Sequence, residues 1–79
     1  MKQSGISIIK YVREQANILG VKEIEIYATA RILPVTIATW ELGKTKPQRY
    51  SIFRLEQALQ RKAMALGFKR KLNVEIFDC

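Results

Sequence analysis

Proline and glycine divide this chain before any other property is considered. Pro34 suits the first turn of a helix, where its missing N–H costs nothing, and Pro47 stops a helix arriving from its N-terminal side. Gly20, Gly43 and Gly67 are placed to end helices in the left-handed cap conformation. At 79 residues there is room for one domain with one small core, and such a core is usually only marginally stable unless something supplements it. Catalytic machinery built around a cofactor cavity is not expected.

Between these breaks the apolar spacing is mostly helical. Ile8, Ile9, Val12, Ala16 and Leu19 recur every three or four residues, which predicts a first helix over 7–19. Glu23 to Ala30 has no breaker and sets Ile26 and Ala30 four apart, predicting a short second helix with Glu23 and Glu25 at the positive end of its dipole. The alternating run EIEIY could instead be half a strand, a minority reading beside the helix. A third helix is expected from Pro34 to Leu42, with Arg31-Ile32-Leu33 as a tight connection before it. Ser51 is the expected N-cap of a fourth helix over 51–66, whose stripe is Ile52, Leu55, Leu59, Ala63 and Leu66. In LNVEIF, Leu72, Val74 and Ile76 alternate, which predicts a strand over 72–77. A lone strand leaves its backbone groups unpaired, so its partner is either the SGISI segment near the N-terminus or the same strand of a second subunit. The expected class is mainly α: one domain over 1–79 with four helices and a short C-terminal β-strand.

Charge is concentrated in the second half. Residues 44–71 carry Lys44, Lys46, Arg49, Arg54, Arg61, Lys62, Lys69, Arg70 and Lys71 against Glu56 alone, whereas residues 1–43 nearly balance and Glu75 and Asp78 make the last residues acidic. Such a field suits a polyanion, because cations that neutralise phosphates release condensed counterions. It also suits a solvated basic surface kept for solubility. With Cys79 as the lone cysteine and no histidine, neither a disulfide framework nor zinc-ligand spacing exists, and no metal or cofactor is expected. A reducing compartment fits. The start MKQSGISIIKY has too short an apolar run for a signal peptide, and no run approaches the roughly 18 apolar residues of a membrane span, so a soluble cytoplasmic protein is expected. No nucleophile–base pair, phosphate-cradling loop or paired carboxylates suggests an enzyme, and no small-molecule ligand is indicated.

The stretch VTIATWELGKTKP, Val35 to Pro47, resembles the helix-turn-helix domains of phage repressors, Cro proteins and the related XRE-type bacterial regulators. The likeness rests on Thr36-Ile37, Trp40, Glu41, Gly43, the basic run Lys44 to Lys46 and Pro47, and extends from Tyr11 to Leu59. The apolar positions expected of the motif core fall at Ile26, Ala30, Ile32, Ile37 and Trp40. The resemblance implies a four-helix Cro/repressor-like domain that binds double-stranded DNA as a small transcriptional regulator, most simply a repressor. It places Pro34, Val35, Ala38 and Thr39 against base edges in the major groove, with Leu33 and Thr36 beside them. It lays Lys44, Thr45, Lys46, Arg49 and Tyr50 along the phosphates, with Lys22 and the N–H groups at the start of helix two as a further phosphate site. A homodimer, through the 72–77 strand or else helix four, would set two recognition helices roughly 34 Å apart.

Several residues depart from the family pattern. Arg31 stands where the turn usually carries Gly, which implies either a strained left-handed residue at about 1–3 kcal/mol or a rearranged turn. Tyr27 replaces a residue that is often small, and Ala16 replaces a cation that pairs with the equivalent of Glu41, so Arg13 is the expected partner of Glu41. The expected reading face has no Arg, Asn or Gln for bidentate base contacts, which points to thymine methyls and DNA shape instead. Two alternatives stay open. Arg49 to Phe68 also resembles the segment after the wing in MerR-type and excisionase-type regulators, although Gly43 to Arg49 is short for a wing. Leu33, Val35, Leu42, Phe53, Phe68 and the C-terminal strand could instead form a protein-binding surface of antirepressor or antitoxin type.

Overall fold

Residues 5–69, which the computed structural model describes, form four helices: α1 (Gly5–Leu19), α2 (Glu23–Thr29), α3 (Pro34–Glu41) and α4 (Arg49–Ala65). The chain is mainly α, as expected. The strand expected over 72–77, and Cys79, lie outside the described residues. The SGISI segment is not available as its partner, because the chain is already helical from Gly5. Helical pitch is what buries Ile8, Ile9 and Val12 together on one side of α1. The strand reading of EIEIY fails for a related reason: a strand would put Ile24 and Ile26 on the same face, yet Ile24 is 64% exposed and Ile26 is fully buried.

One core joins all four elements. Val12, Ala16 and Leu19 of α1 meet Ile26 of α2, Ile37 and Trp40 of α3, and Ile52, Leu55, Leu59 and Ala63 of α4. Helix α1 packs against the other three and α2 packs on α4, so α3 is held chiefly by α1. The stripe expected on α4 loses its last member, since α4 ends at Ala65 and Leu66, its C-cap, is half exposed. The expected N-cap also moves. Gln48 holds that position without a side-chain bond and Ser51 lies inside the helix. Buried Pro47 anchors the chain just ahead of this start.

Glu56 is the charged residue that apolar periodicity could not place. It is fully buried on α4 and accepts a 2.6 Å hydrogen bond from the Tyr11 hydroxyl of α1, a bond at the short end of the O–H···O range. Every buried side-chain nitrogen or oxygen among the described residues has a partner. No helix among them is long and apolar enough to cross a membrane.

All four helices end in the same backbone closure. Val21, Ile32, Lys44 and Phe68 each donate their N–H five residues back, to the carbonyls of Ala16, Tyr27, Thr39 and Ala63, at 2.8–3.0 Å. The residue before each donor must be left-handed. Gly20, Gly43 and Gly67 meet this at φ of 72°, 73° and 81°, and Arg31 meets it at φ of 60°. The turn is therefore not rearranged; Arg31 takes the conformation that Gly would take without strain. The gain lies at the next residue, because the closure turns Ile32 into the core, where it is 9% exposed.

Replacing Arg31 with Gly is expected to raise stability by about 0.5–1 kcal/mol, the relief of roughly 1–2 kcal/mol of left-handed strain less the extra backbone entropy of glycine in the unfolded chain. Arg31→Val should lower it. Urea unfolding at constant m-value measures both, and a Gly variant less stable than the parent would refute strain at this turn.

Candidate nucleic-acid interface

Helix α3 is oriented by two residues three apart. Ile37 and Trp40 are buried against α1, which turns the other side of the helix outward. Of the six residues expected to face bases, Leu33, Pro34, Val35 and Ala38 are exposed, while Thr36 and Thr39 are half-buried on the flank. Leu33 is the N-cap and Pro34 opens the first turn, as its ring favours. The outward face is thus branched and apolar, with Leu33, Val35 and Leu42 each more than 60% exposed.

The basic loop after α3 is tied to this helix by hydroxyls, a link not legible in the sequence. Thr39 Oγ1 donates to the Thr36 carbonyl at 2.7 Å and lies 2.9 Å from Thr45 Oγ1. A hydroxyl has one proton. Since that of Thr39 is engaged, Thr45 is the donor, and Thr39 keeps only acceptor capacity toward anything outside. Lys44, Thr45 and Lys46 are exposed, as are Arg49 and Tyr50 at the start of α4, and buried Pro47 holds the loop down between them. Lys44 and Lys46 have no ion-pair partner among the described residues. No strand forms between α3 and α4, so there is no wing of the MerR or excisionase kind.

Lys22 is also exposed, but its backbone N–H already donates to the Glu25 carboxylate at 3.1 Å. Lysine has no acceptor to return that bond, so only half of a capping box forms. The start of α2 is therefore supplied with an anion from within the chain.

The expected Arg13–Glu41 pair does not form. Arg13 Nε binds Glu23 Oε1 at 2.9 Å, and the Tyr27 hydroxyl donates to Glu23 Oε2 at 2.8 Å. Glu23 sits one helical turn before Tyr27, which aims its carboxylate back toward α1. Glu41 is exposed and contributes only the weakest of the effects that raise the Arg13 pKa, behind the hydrogen bond and the charge of Glu23. Arg13 itself is 60% exposed, so this is a surface pair and not a buried one. Tyr27, at a position expected to be small, is accommodated as one wall of a groove of about 590 Å³ between α2 and α3, floored by Ile32 and Ile37 and rimmed by Arg13, Glu23 and Glu41. Burial, followed by the bond to Glu23, holds its hydroxyl well above the ordinary tyrosine range.

No group of His, Cys, Asp and Glu among the described residues could hold a metal ion. No protein-family model, no curated protein and no solved structure matches the chain.

The raised Tyr27 pKa has a direction that can be measured. Its stabilising effect is fully present below about pH 10, where the unfolded chain also keeps the proton, and is lost as pH rises toward the folded value. Tyr27→Phe should lose about 0.5–1.5 kcal/mol near neutral pH for the missing hydrogen bond. Above pH 10 the gap to the parent should narrow, by at most about 1.4 kcal/mol per pH unit. Urea titrations on either side of that pH test this; a gap that stays constant would rule out the buried phenol as its source.

Proposed function

We propose that this protein is a small sequence-specific DNA-binding regulator with a Cro/repressor-like helix-turn-helix fold, most simply a repressor, that places α3 in the major groove and residues 44–50 on the phosphates. The observation that carries this reading is the coupling of α3 to its basic loop: an outward helix face and two lysines, Lys44 and Lys46, without ion-pair partners among the described residues, held in one unit by the Thr39–Thr45 hydroxyl pair. Helix α2, the connection Ala30 to Leu33 and helix α3 follow in the order the motif requires.

In this arrangement the lysines fix the register of the protein on the duplex without reading its sequence. Val35, Ala38 and the Pro34 ring offer apolar contact to thymine methyls, and Thr39, its proton committed, can only accept a hydrogen bond from a base amino group. Discrimination is correspondingly thin, and affinity rests on phosphates and on DNA shape. Two copies, joined through residues 72–77 or through α4, would present two such helices to a palindromic site.

A second reading is favoured by one observation. Ile24, Leu33, Val35 and Leu42 are each more than 60% exposed, an aliphatic surface that also suits a protein partner.

Selection of bound sequences from random duplex DNA, with binding then measured against salt, separates the two. The DNA reading expects A·T-rich preferences under α3 and affinity that falls steeply with salt. Information concentrated on G·C pairs there would contradict the apolar readout, and weak duplex binding even at low salt would favour the protein partner. Sedimentation of the full chain and of a chain ending at residue 71 assigns the dimer: loss of association on truncation places it in residues 72–77, and an unchanged dimer places it on α4.

A further inference from the structure

A second basic surface lies apart from the Lys44–Lys46 loop. Arg31 at the end of α2 and Tyr50, Arg54, Gln57 and Arg61 along α4 line a cleft of about 260 Å³, with Thr29 at its edge and no carboxylate in its lining. Arg54 is held in place from two sides: its Nη2 donates to the Arg31 carbonyl at 3.3 Å, and its guanidinium lies over the Tyr50 ring, 5.6 Å from the centroid. Arg31 and Arg61 are exposed, and neither has a carboxylate partner among the described residues. With three arginines and no carboxylate in its lining, the cleft offers favourable charge to an anion.

The backbone gives an independent sign. Arg31 occupies a left-handed position, φ 60°, at the one helix end of four where the chain does not use glycine. Its side chain is exposed and adds nothing to the core, so packing does not offset the strain. The closure that turns Ile32 inward would be served as well by glycine, so an arginine at this position points to a role for its side chain outside folding.

We propose that this cleft seats a backbone phosphodiester of duplex DNA, a second phosphate contact on the α2–α3 turn. The proposal rests on the DNA-binding reading above and extends it to residues the motif does not assign. The two free oxygens of a phosphodiester match the planar fork of a guanidinium, and the Tyr50 hydroxyl and Gln57 amide supply further donors. Arg31 lies just ahead of Pro34, so a phosphate held here fixes how deeply the N-terminal end of α3 sits in the groove. Tyr50 connects the cleft to the loop contact, making one continuous phosphate track. The contact carries no sequence preference of its own.

The test uses the full chain, duplexes of several sequences, and fluorescence anisotropy across a salt series. Arg31→Gly and Arg61→Gln should each lower affinity about 5- to 10-fold near 0.1 M salt, by the same factor on every duplex, and reduce the slope of log K against log salt by about 0.9. Arg31→Gly is the decisive variant, because it should bind more weakly while unfolding at a higher temperature, which separates lost contact from lost structure. Unchanged affinity and slope in both variants, beside a Lys44→Gln variant that does lose affinity, would overturn the cleft and leave the DNA-binding reading standing. A loss confined to some sequences would overturn it as a phosphate site. A parent chain without salt-dependent duplex binding would overturn both.

Discussion

The hydrogen bond from the Ile32 N–H to the Tyr27 carbonyl, closed across left-handed Arg31, sets the direction in which α3 leaves α2. Ile32 enters the core as the residue after that turn, and Pro34 then starts α3 with its φ already suited to a helix. From there the three-residue spacing of Ile37 and Trp40 determines which side of α3 faces α1 and which faces outward. The same closure presents the Arg31 carbonyl to Arg54 and so brings α4 onto the turn. A change of backbone conformation at this one residue would move the outward helix face, the groove behind it and the basic cleft beside it together.

The charges divide along the same lines. Glu23 and Glu25 are used within the fold, the first by Arg13 and Tyr27 and the second by the backbone at the start of α2. Glu56 is taken into the core by Tyr11. These three carboxylates are held by bonds within the fold, while Lys44, Lys46, Arg31 and Arg61 remain without ion-pair partners among the described residues. These cations are the source of a positive field outside the fold. Beside this field the outward face of α3 is aliphatic, a combination in which electrostatics supply attraction and shape supplies selectivity.

What the sequence determined by itself was the number of helices and where they stop. Gly20, Gly43 and Gly67 end helices because the closing bond needs a left-handed residue, and Pro34 and Pro47 act through a missing N–H; both are local effects that require no knowledge of neighbours. Core positions with helical spacing, from Ile8 to Leu19 and again Ile26, Ile37, Trp40 and Leu59, were legible for the same reason. At Arg31 the sequence left a strained left-handed residue and a rearranged turn both open, and the structure decided for the first.

Partnerships were a different matter, and only the tertiary structure decided them. Arg13 chose Glu23 over Glu41 because Tyr27 aims the Glu23 carboxylate across to α1, and no spacing along one helix encodes that crossing. Glu56 lies next to Leu55 on the inner side of α4, and its burial depends on a hydroxyl 45 positions away. The pairing of Thr39 with Thr45, that of Arg54 with the Arg31 carbonyl, and the cleft lined by Arg31 and Arg54 follow from how the helices lie on one another. Local backbone chemistry is carried by each residue and its nearest neighbours, whereas the choice between equally suitable charged or hydroxyl partners depends on distances that exist only once α1, α2 and α4 have packed.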